Sequence, residues 1–150
     1  MRVIIQRVSE ASVTIDHRVV SAIGYGLLVL LGIEEGDALS DAEWLVGKIC
    51  RMRIFGDSDD KMNLSLADIA GDAIVVSQFT LHALTKKGNR PSFIRAARPE
   101  VSEPLYESFC SLMEKELARP VGRGKFGADM KVALINDGPV TIAIDSKARE

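Results

Sequence analysis

The segment INDGPVTIAID, residues 135–145, has the composition of a β-strand except at its centre. The residues that favour a strand are β-branched: Ile135, Val140, Thr141, Ile142 and Ile144. Gly138 and Pro139 interrupt them, because a proline cannot donate to a strand ladder and a glycine weakens one. Since Asn136 and Asp137 are also turn formers, a hairpin turn between two strands is one interpretation of the Gly-Pro pair. These residues alone do not distinguish a hairpin turn from another role for the Gly-Pro pair, so the rest of the sequence is needed.

Upstream of this segment, the pattern of apolar residues predicts several more strands. Apolar and polar residues alternate over residues 1–15, with a bulge or turn near residues 9–11 and a hairpin turn at Asp16-His17. The longest apolar stretch, residues 26–33, is far too short to span a membrane and predicts a buried strand. Residues 73–81 are also apolar and β-branched, and they predict another strand.

Two segments have the apolar period of amphipathic helices. Residues 40–55 form the first, and Ser40 with Glu43 has the spacing of a capping box at its start. Residues 102–119 form the second, with Ser102 as its expected N-cap.

Two helices among mostly hairpin-connected strands predict an α+β fold in which residues 1–150 are a single domain. We expect a largely antiparallel, barrel-like sheet with both helices packed against it. A hydrophobic content of 47% allows a substantial core, and 27% charged residues favour a soluble domain. The formal net charge of -2 provides no overall basic field, so any site for a polyanion has to be local.

No signal peptide is expected, because Gln6, Arg7 and Glu10 interrupt the apolar residues at the N-terminus. Cys50 and Cys110 stand far apart among apolar residues, which predicts buried free thiols. Both features favour a protein of the reducing cytoplasm.

The sequence does not support a cofactor site or a metal site. Gly122, Gly124 and Gly127 spell G-x-G-x-x-G, but a predicted helix precedes them and a strand follows, which is the reverse of a dinucleotide site. His17 and His82 are the only histidines, and the chain has no C-x-x-C or H-E-x-x-H pattern. We therefore expect neither a cofactor nor a metal.

The segment SQFTL, residues 77–81, places polar side chains at the end of an apolar strand. Such positions are where sites are often built, although a strand that simply leaves the core has the same composition. A catalytic triad that pairs Ser77 with His82 is disfavoured, because Ser77 lacks the G-x-S-x-G turn that exposes such a nucleophile.

The loop at residues 82–100 concentrates positive charge. Its cations, with no acid between them, are Lys86, Lys87, Arg90, Arg95 and Arg98. Phe93 lies among them, and a positive patch with an aromatic residue suits an RNA backbone and an unstacked base. A solvated charged loop is the other interpretation.

Taken together, these segments resemble the D-aminoacyl-tRNA deacylase family over essentially the whole chain. The matching segments are MRVIIQRVSEASVTI at 1–15, KMNLSL at 61–66, SQFTL at 77–81, KGNRPSF at 87–93, FGADM at 126–130 and NDGPVTI at 136–142. SQFTL and the Gly-Pro motif are the family's two signature elements, and the chain has both in order. It departs from the family at VGRGK, residues 121–125, because the residues before FGADM are expected to contain more threonine.

The resemblance implies a homodimeric hydrolase that removes D-amino acids wrongly attached to tRNA by cutting the ester at the terminal ribose. It implies the same activity on glycyl-tRNA, including glycine mischarged on tRNA(Ala). The implied catalytic residues are Ser77, Gln78, Phe79 and Thr80. Backbone N–H groups at Phe79 and Thr80 would stabilise the oxyanion, while the 2′-hydroxyl of the terminal adenosine positions or activates the water.

In the family the Gly-Pro peptide is cis and reaches into the partner subunit's active site, which implies that role for Gly138 and Pro139. A rigid backbone wall at this point would leave no room for the side chain of an L-amino acid. The other implied site residues are Phe126 and Met130, which line the pocket, and Lys86, Lys87 and Arg90, which hold the tRNA end.

Two alternatives stay open at this point. One is an RNA-binding module without catalysis that uses the basic loop. The other is an esterase with a side-chain nucleophile, Ser77 or Thr80, which would form an acyl-enzyme.

Overall fold

The computed structural model describes residues 1–149, which form an α+β fold with a curved sheet. The strands are β1 Arg2–Ile15, β2 Arg18–Ile23, β3 Gly26–Gly32, β4 Phe55–Gly56, β5 Met62–Leu64, β6 Asp72–Ser77, β7 Gly122–Arg123 and β8 Lys131–Asp145. The helices are α1 Leu39–Arg51 and α2 Pro99–Leu117, with a short 3-10 helix at Phe79–His82. Within the described residues, no helix is both long enough and apolar enough to cross a membrane.

Strand β1 organises the sheet. It pairs antiparallel with β8 along one edge, and with β3 and then β2 along the other. Beyond β3 the pairing changes, because β3 with β6 and β6 with β7 are parallel. The prediction of a largely antiparallel sheet therefore holds around β1 and is wrong beyond β3. The reason is that α1 and α2 lie in the connections between these strands, and parallel neighbours require such crossovers.

The two ends of the sheet approach each other and nearly close a barrel. A side chain at Gly122 of β7 would collide with Ser21 of β2, so the outer strands lie in close contact without forming a ladder. The apolar cluster on the face away from the helices is Val8, Ala11, Val13, Leu28, Ile74 and Val76. The larger cluster, which includes the buried faces of α1 and α2, covers the other side of the sheet. The predicted barrel-like sheet with two helices packed on it is confirmed.

Both helices start earlier than predicted, and both predicted caps are wrong. In α1 the N-cap is Ala38, whose N–H donates to the Asp41 carboxylate at 2.9 Å, so Ser40 and Glu43 do not form the capping box. In α2 the N-cap is Arg98. The next residue is a proline, which the first helical position favours, and Ser102 is left inside the helix.

The Gly-Pro pair does not form a hairpin turn. Strand β8 pairs with β1 on both sides of it: Thr141 lies opposite Gln6, and Asn136 lies opposite Val8. Between these pairs β8 has residues 137–140 where β1 has only Arg7, so the extra residues of β8 bulge out of the ladder. The hairpin turn at Asp16-His17 is confirmed, since both residues have positive φ and connect the paired ends of β1 and β2.

Candidate active site

A cavity of about 600 Å³ opens at the carboxyl end of β6. Parallel strands commonly build sites at this end, because their connections leave the sheet there. The lining residues are Leu31, Ile33, Val76, Ser77, Gln78, Phe79, Phe93, Ala96, Ala97, Pro99, Ser102, Phe126, Gly127, Ala128, Asp129, Met130 and Val132. The fold thus brings SQFTL and FGADM to one cavity, although they are far apart in the sequence.

In the turn after β6, two backbone donors have no acceptor among the described residues. The N–H of Gln78 donates to the Leu31 carbonyl at 2.7 Å, which extends the pairing of β6 with β3 by one bond. The chain then enters the 3-10 helix, whose first N–H groups have no carbonyl one turn earlier to bond. Among the described residues, the N–H groups of Phe79 and Thr80 have no acceptor. Two adjacent donors beside a cavity can stabilise a developing negative charge.

The side chains of this turn do not form a nucleophile with a base. The Gln78 amide donates to the Thr80 hydroxyl oxygen, and an amide cannot accept the hydroxyl proton as a base. Neither ring nitrogen of His82 has a hydrogen-bond partner among the described residues, so no hydrogen bond joins His82 to Ser77. Burial holds the pKa of His82 below its ordinary value, so this ring is neutral at pH 7. Among the described residues, this turn therefore has no activated serine or threonine.

The opposite wall of the cavity rests on α2 and β6. The Phe126 ring packs against Tyr106, with ring centroids 6.2 Å apart, and the Tyr106 hydroxyl donates to the Val75 carbonyl at 2.9 Å. Met130 packs so closely on Gly124 that a side chain at Gly124 would collide with its sulfur. These contacts hold both predicted pocket residues in place. Sequence reasoning missed Tyr106, because its apolar position in a helix predicts only core packing.

The segment VGRGK, which departs from the family pattern, is clamped to α2. Arg123 forms ion pairs with Glu107 and with Glu114, the second at 2.8 Å. Glu114 also accepts a hydrogen bond from the Val121 N–H at 3.3 Å. The departure leaves Phe126 and Met130 at the cavity, so it changes how the segment is held and not where it leads.

The basic loop divides into exposed cations and structural ones. Lys86, Lys87 and Arg90 are exposed and form no ion pair with any described residue. Arg95, by contrast, pairs with the buried Glu34 at 2.7 Å. Arg98 is the N-cap residue of α2. Arg98 is also exposed and forms no ion pair with a described residue, so the three residues predicted to hold tRNA are among four cations of this loop whose charge is available.

Gly138 and Pro139 are exposed and do not line the cavity of their own chain. Their peptide bond is cis, as the family resemblance implied. Arg7 holds this bulge: it forms an ion pair with Asp137 at 3.1 Å, and its guanidinium donates to the Ile54 carbonyl at 2.5 Å. One chain thus brings Ser77, Gln78 and Phe79 to one cavity with the predicted pocket residues, while Thr80 follows them in the turn without lining the cavity and the Gly-Pro pair lies apart.

Among residues 1–149 there is no group of three or more histidine, cysteine, aspartate or glutamate side chains that could hold a metal ion. Both cysteines are buried and free.

Comparison with known proteins gives a consistent result. Residues 4–145 match the protein family described as D-Tyr-tRNA(Tyr) deacylase. A relative named D-aminoacyl-tRNA deacylase, from Christiangramia forsetii, is 63% identical over 149 residues and covers 99% of each chain. A solved structure described as c-Myc DNA Unwinding Element Binding Protein has 41% identity and a TM-score of 0.91, covering 97% of this chain and 98% of the other. Another, of a probable eukaryotic D-amino acid tRNA deacylase, shares the fold with a TM-score of 0.80, 19% identity and coverage of 95% and 97%.

Proposed function

The chain belongs to the D-Tyr-tRNA(Tyr) deacylase family and is a hydrolase that acts on D-aminoacyl-tRNA, and from that premise we propose that it cuts the ester at the mouth of the cavity beside Phe79 and Thr80. The observation that carries this proposal is that the backbone N–H groups of these two residues have no acceptor among residues 1–149. The substrate and the buried free thiols both fit the cytoplasm.

The backbone donors supply the main electrostatic help in the proposed reaction. Water attacks the ester carbonyl, and the N–H groups of Phe79 and Thr80 donate hydrogen bonds to the carbonyl oxygen, on which negative charge develops. The bond from the carbonyl carbon to the ribose oxygen then breaks, and the ribose oxygen leaves with a proton from the attacking water. Each well-placed donor of this kind is worth about 3 to 4 kcal/mol of transition-state stabilisation. An aminoacyl ester is already activated, so the 2′-hydroxyl of the terminal adenosine suffices to position the water, and no side-chain base is needed. The absence of a nucleophile–base pair among the described residues of this turn supports that route.

Chiral selectivity is proposed to come from a second copy of the chain. Gly138 and Pro139 are exposed and lie outside the cavity of their own subunit, which fits a role in the cavity of a partner. In the proposed homodimer the Gly-Pro backbone forms a wall that excludes the side chain of an L-amino acid without reading the D side chain. Glycine has no side chain to exclude, so glycyl-tRNA, including glycine mischarged on tRNA(Ala), is also a substrate.

A paired assay tests the proposal. The protein is given the same tRNA charged with the D- or the L-form of one amino acid, and glycyl-tRNA in parallel. We expect rapid release of the D-amino acid and of glycine, with L-aminoacyl-tRNA spared. Equal rates on the D and L substrates would rule out the proposed wall. Binding of tRNA without release of any amino acid would favour the RNA-binding module.

Removing the hydroxyl groups of the turn is expected to leave much of the activity. Thr80→Ala and Ser77→Ala both retain the backbone N–H groups, so each variant should keep measurable turnover, within about tenfold of the unaltered protein if the donors carry the 3 to 4 kcal/mol expected of them. Single-turnover kinetics and a search for an acyl-enzyme after rapid quenching make the measurement. A folded variant without activity, together with an acyl-enzyme in the unaltered protein, would establish the nucleophile mechanism instead.

Neutralising the exposed cations of the basic loop is expected to weaken tRNA binding and flatten its salt dependence. Each lost phosphate contact lowers the slope of log affinity against log salt by about 0.7 to 0.9. The variant replaces Lys86, Lys87 and Arg90 with glutamine, and affinity is measured between low and moderate salt.

The matched control for this variant replaces Arg18, Lys61 and Lys115, which are also exposed, with glutamine. It removes the same charge from elsewhere on the surface and should keep the slope. If both variants show the same slope of log affinity against log salt, the basic loop is a solvated surface and does not contact the RNA.

A further inference from the structure

Three exposed apolar side chains and one half-buried one lie at the cavity or in the loop next to it. Phe79, which is exposed, and Phe93, which is half-buried, line the cavity, Leu84 and Ile94 are exposed in the adjoining loop, and we refer to these four residues as the mouth patch. Phe79 is 57% exposed and meets Phe93 edge to face, with ring centroids 5.0 Å apart. Ile94, next to Phe93 in the chain, is 80% exposed. Single exposed apolar residues are common, but a group of them beside a cavity marks a binding surface.

The backbone holds the mouth patch in this exposed arrangement. Leu84 and Ser92 exchange both backbone hydrogen bonds, at 2.8 and 3.0 Å, which closes the loop between them. On the other side of the patch, the Ala96 N–H donates to the Phe93 carbonyl at 2.9 Å. The adjoining Arg95 is fixed by its ion pair with Glu34. A surface that is already ordered loses little conformational entropy when it binds.

The same closed loop carries the available positive charge. Lys86, Lys87 and Arg90 lie between Leu84 and Ser92, and residues 82–99 contain no acidic side chain. Since the whole chain has a net charge of -2, this concentration is local. Phosphates match the cations, and base faces match the apolar groups. A duplex offers only the phosphates, because its bases are stacked and paired, whereas a single strand offers both.

We propose that the mouth patch stacks against the unpaired nucleotides that precede the terminal adenosine of the RNA substrate, while Lys86, Lys87 and Arg90 contact their phosphates. This inference rests on the proposed function, because the ester in the cavity fixes where the RNA strand emerges. Ile94 is then a contact residue for bases, not for the amino acid. The surface recognises the single-stranded end of the RNA independently of its duplex.

Two substrates separate this contact from catalysis. One is D-aminoacyl-adenosine, which has no preceding nucleotide, and the other is a D-aminoacyl oligoribonucleotide with three unpaired nucleotides before the terminal adenosine. Ile94→Ser should lower kcat/KM on the oligonucleotide about tenfold, mainly through KM, because the apolar contact of the side chain with a base is lost. The same variant should hydrolyse D-aminoacyl-adenosine at the unaltered rate. Ile94→Tyr should raise kcat/KM on the oligonucleotide, since an aromatic ring stacks better, and a merely structural role predicts no such gain.

The control variant is Val19→Ser, which removes an apolar side chain that is 64% exposed on β2. It should change neither substrate's kinetics. If Ile94→Ser affects both substrates equally, or neither, the inference is wrong. Affinity for an uncharged single-stranded oligoribonucleotide and for a blunt RNA duplex provides a readout that needs no catalysis, and Ile94→Ser should weaken only the first. Unaltered protein that binds the single strand through Ile94 but releases no amino acid would refute the proposed function and leave the contact established.

Discussion

Phe79→Pro is expected to lower kcat by about a hundredfold to a thousandfold relative to Phe79→Ala, the range for losing one oxyanion donor. Both variants lose the phenyl ring, but only proline also removes the backbone N–H. The comparison therefore isolates a donor that, among the described residues, bonds to no protein acceptor. The measurement is kcat on D-aminoacyl-tRNA under single-turnover conditions.

The fold is expected to accept this proline. Phe79 is the first residue of the 3-10 helix, and a proline is tolerated there because its missing N–H would have no helical partner. Gln78, before it, has a φ of -142° and lies outside the α region that a following proline disfavours. Thermal unfolding of the two variants checks that both are folded. Equal kcat values for folded Phe79→Pro and Phe79→Ala would place the oxyanion donor elsewhere.

Gly138→Ala is expected to lower kcat/KM on D-aminoacyl-tRNA at least tenfold and to weaken the rejection of L-aminoacyl-tRNA. An added Cβ would lie 2.5 Å from a guanidinium nitrogen of Arg7 and 3.1 Å from the Val140 side chain. Arg7 cannot move aside freely, because it also binds Asp137 and the Ile54 carbonyl. The residue in addition has a φ of +115°, which a side chain disfavours, with a strain on the order of 1 to 3 kcal/mol. The bulge therefore shifts, and the proposed wall shifts with it.

A matched control separates the collision from the strain. Gly36 has a φ of +82°, but an added Cβ there would meet nothing within 4 Å. Gly36→Ala should therefore lower the free energy of unfolding without changing kcat/KM or the ratio of D to L hydrolysis. If Gly138→Ala loses stability in the same way and keeps full activity and selectivity, the Gly-Pro bulge is not the wall.

The local sequence predicted the presence of helices, strands and turns better than the residues at which the helices begin. The turn at Asp16-His17 depends on two adjacent residues, and its prediction is correct because aspartate and neighbouring polar residues adopt positive φ within a short connection. The N-caps at Ser40 and Ser102 were wrong because other residues near each helix start also satisfy the first turn: Asp41 reaches back to Ala38, and Pro99 begins α2. Competing caps of this kind differ little in free energy, so the surrounding packing decides between them.

The sequence by itself determined the α+β class, the two helices, the buried strands and, through the SQFTL and Gly-Pro motifs, the family. These properties depend on short-range periodicity and on residues that are contiguous in the chain. Only the tertiary structure decided that β8 continues through Gly138 and Pro139, since that depends on its register with β1 on both sides of the bulge. It also decided that the segments 77–79, 93–99 and 126–132 each contribute residues to the lining of one cavity. For a similar reason, the N–H groups of Phe79 and Thr80 have no acceptor in the described part of the chain. The Gln78 N–H bonds to β3 and the chain then turns away from the sheet, and a local sequence pattern does not indicate which donors a distant strand leaves without a partner.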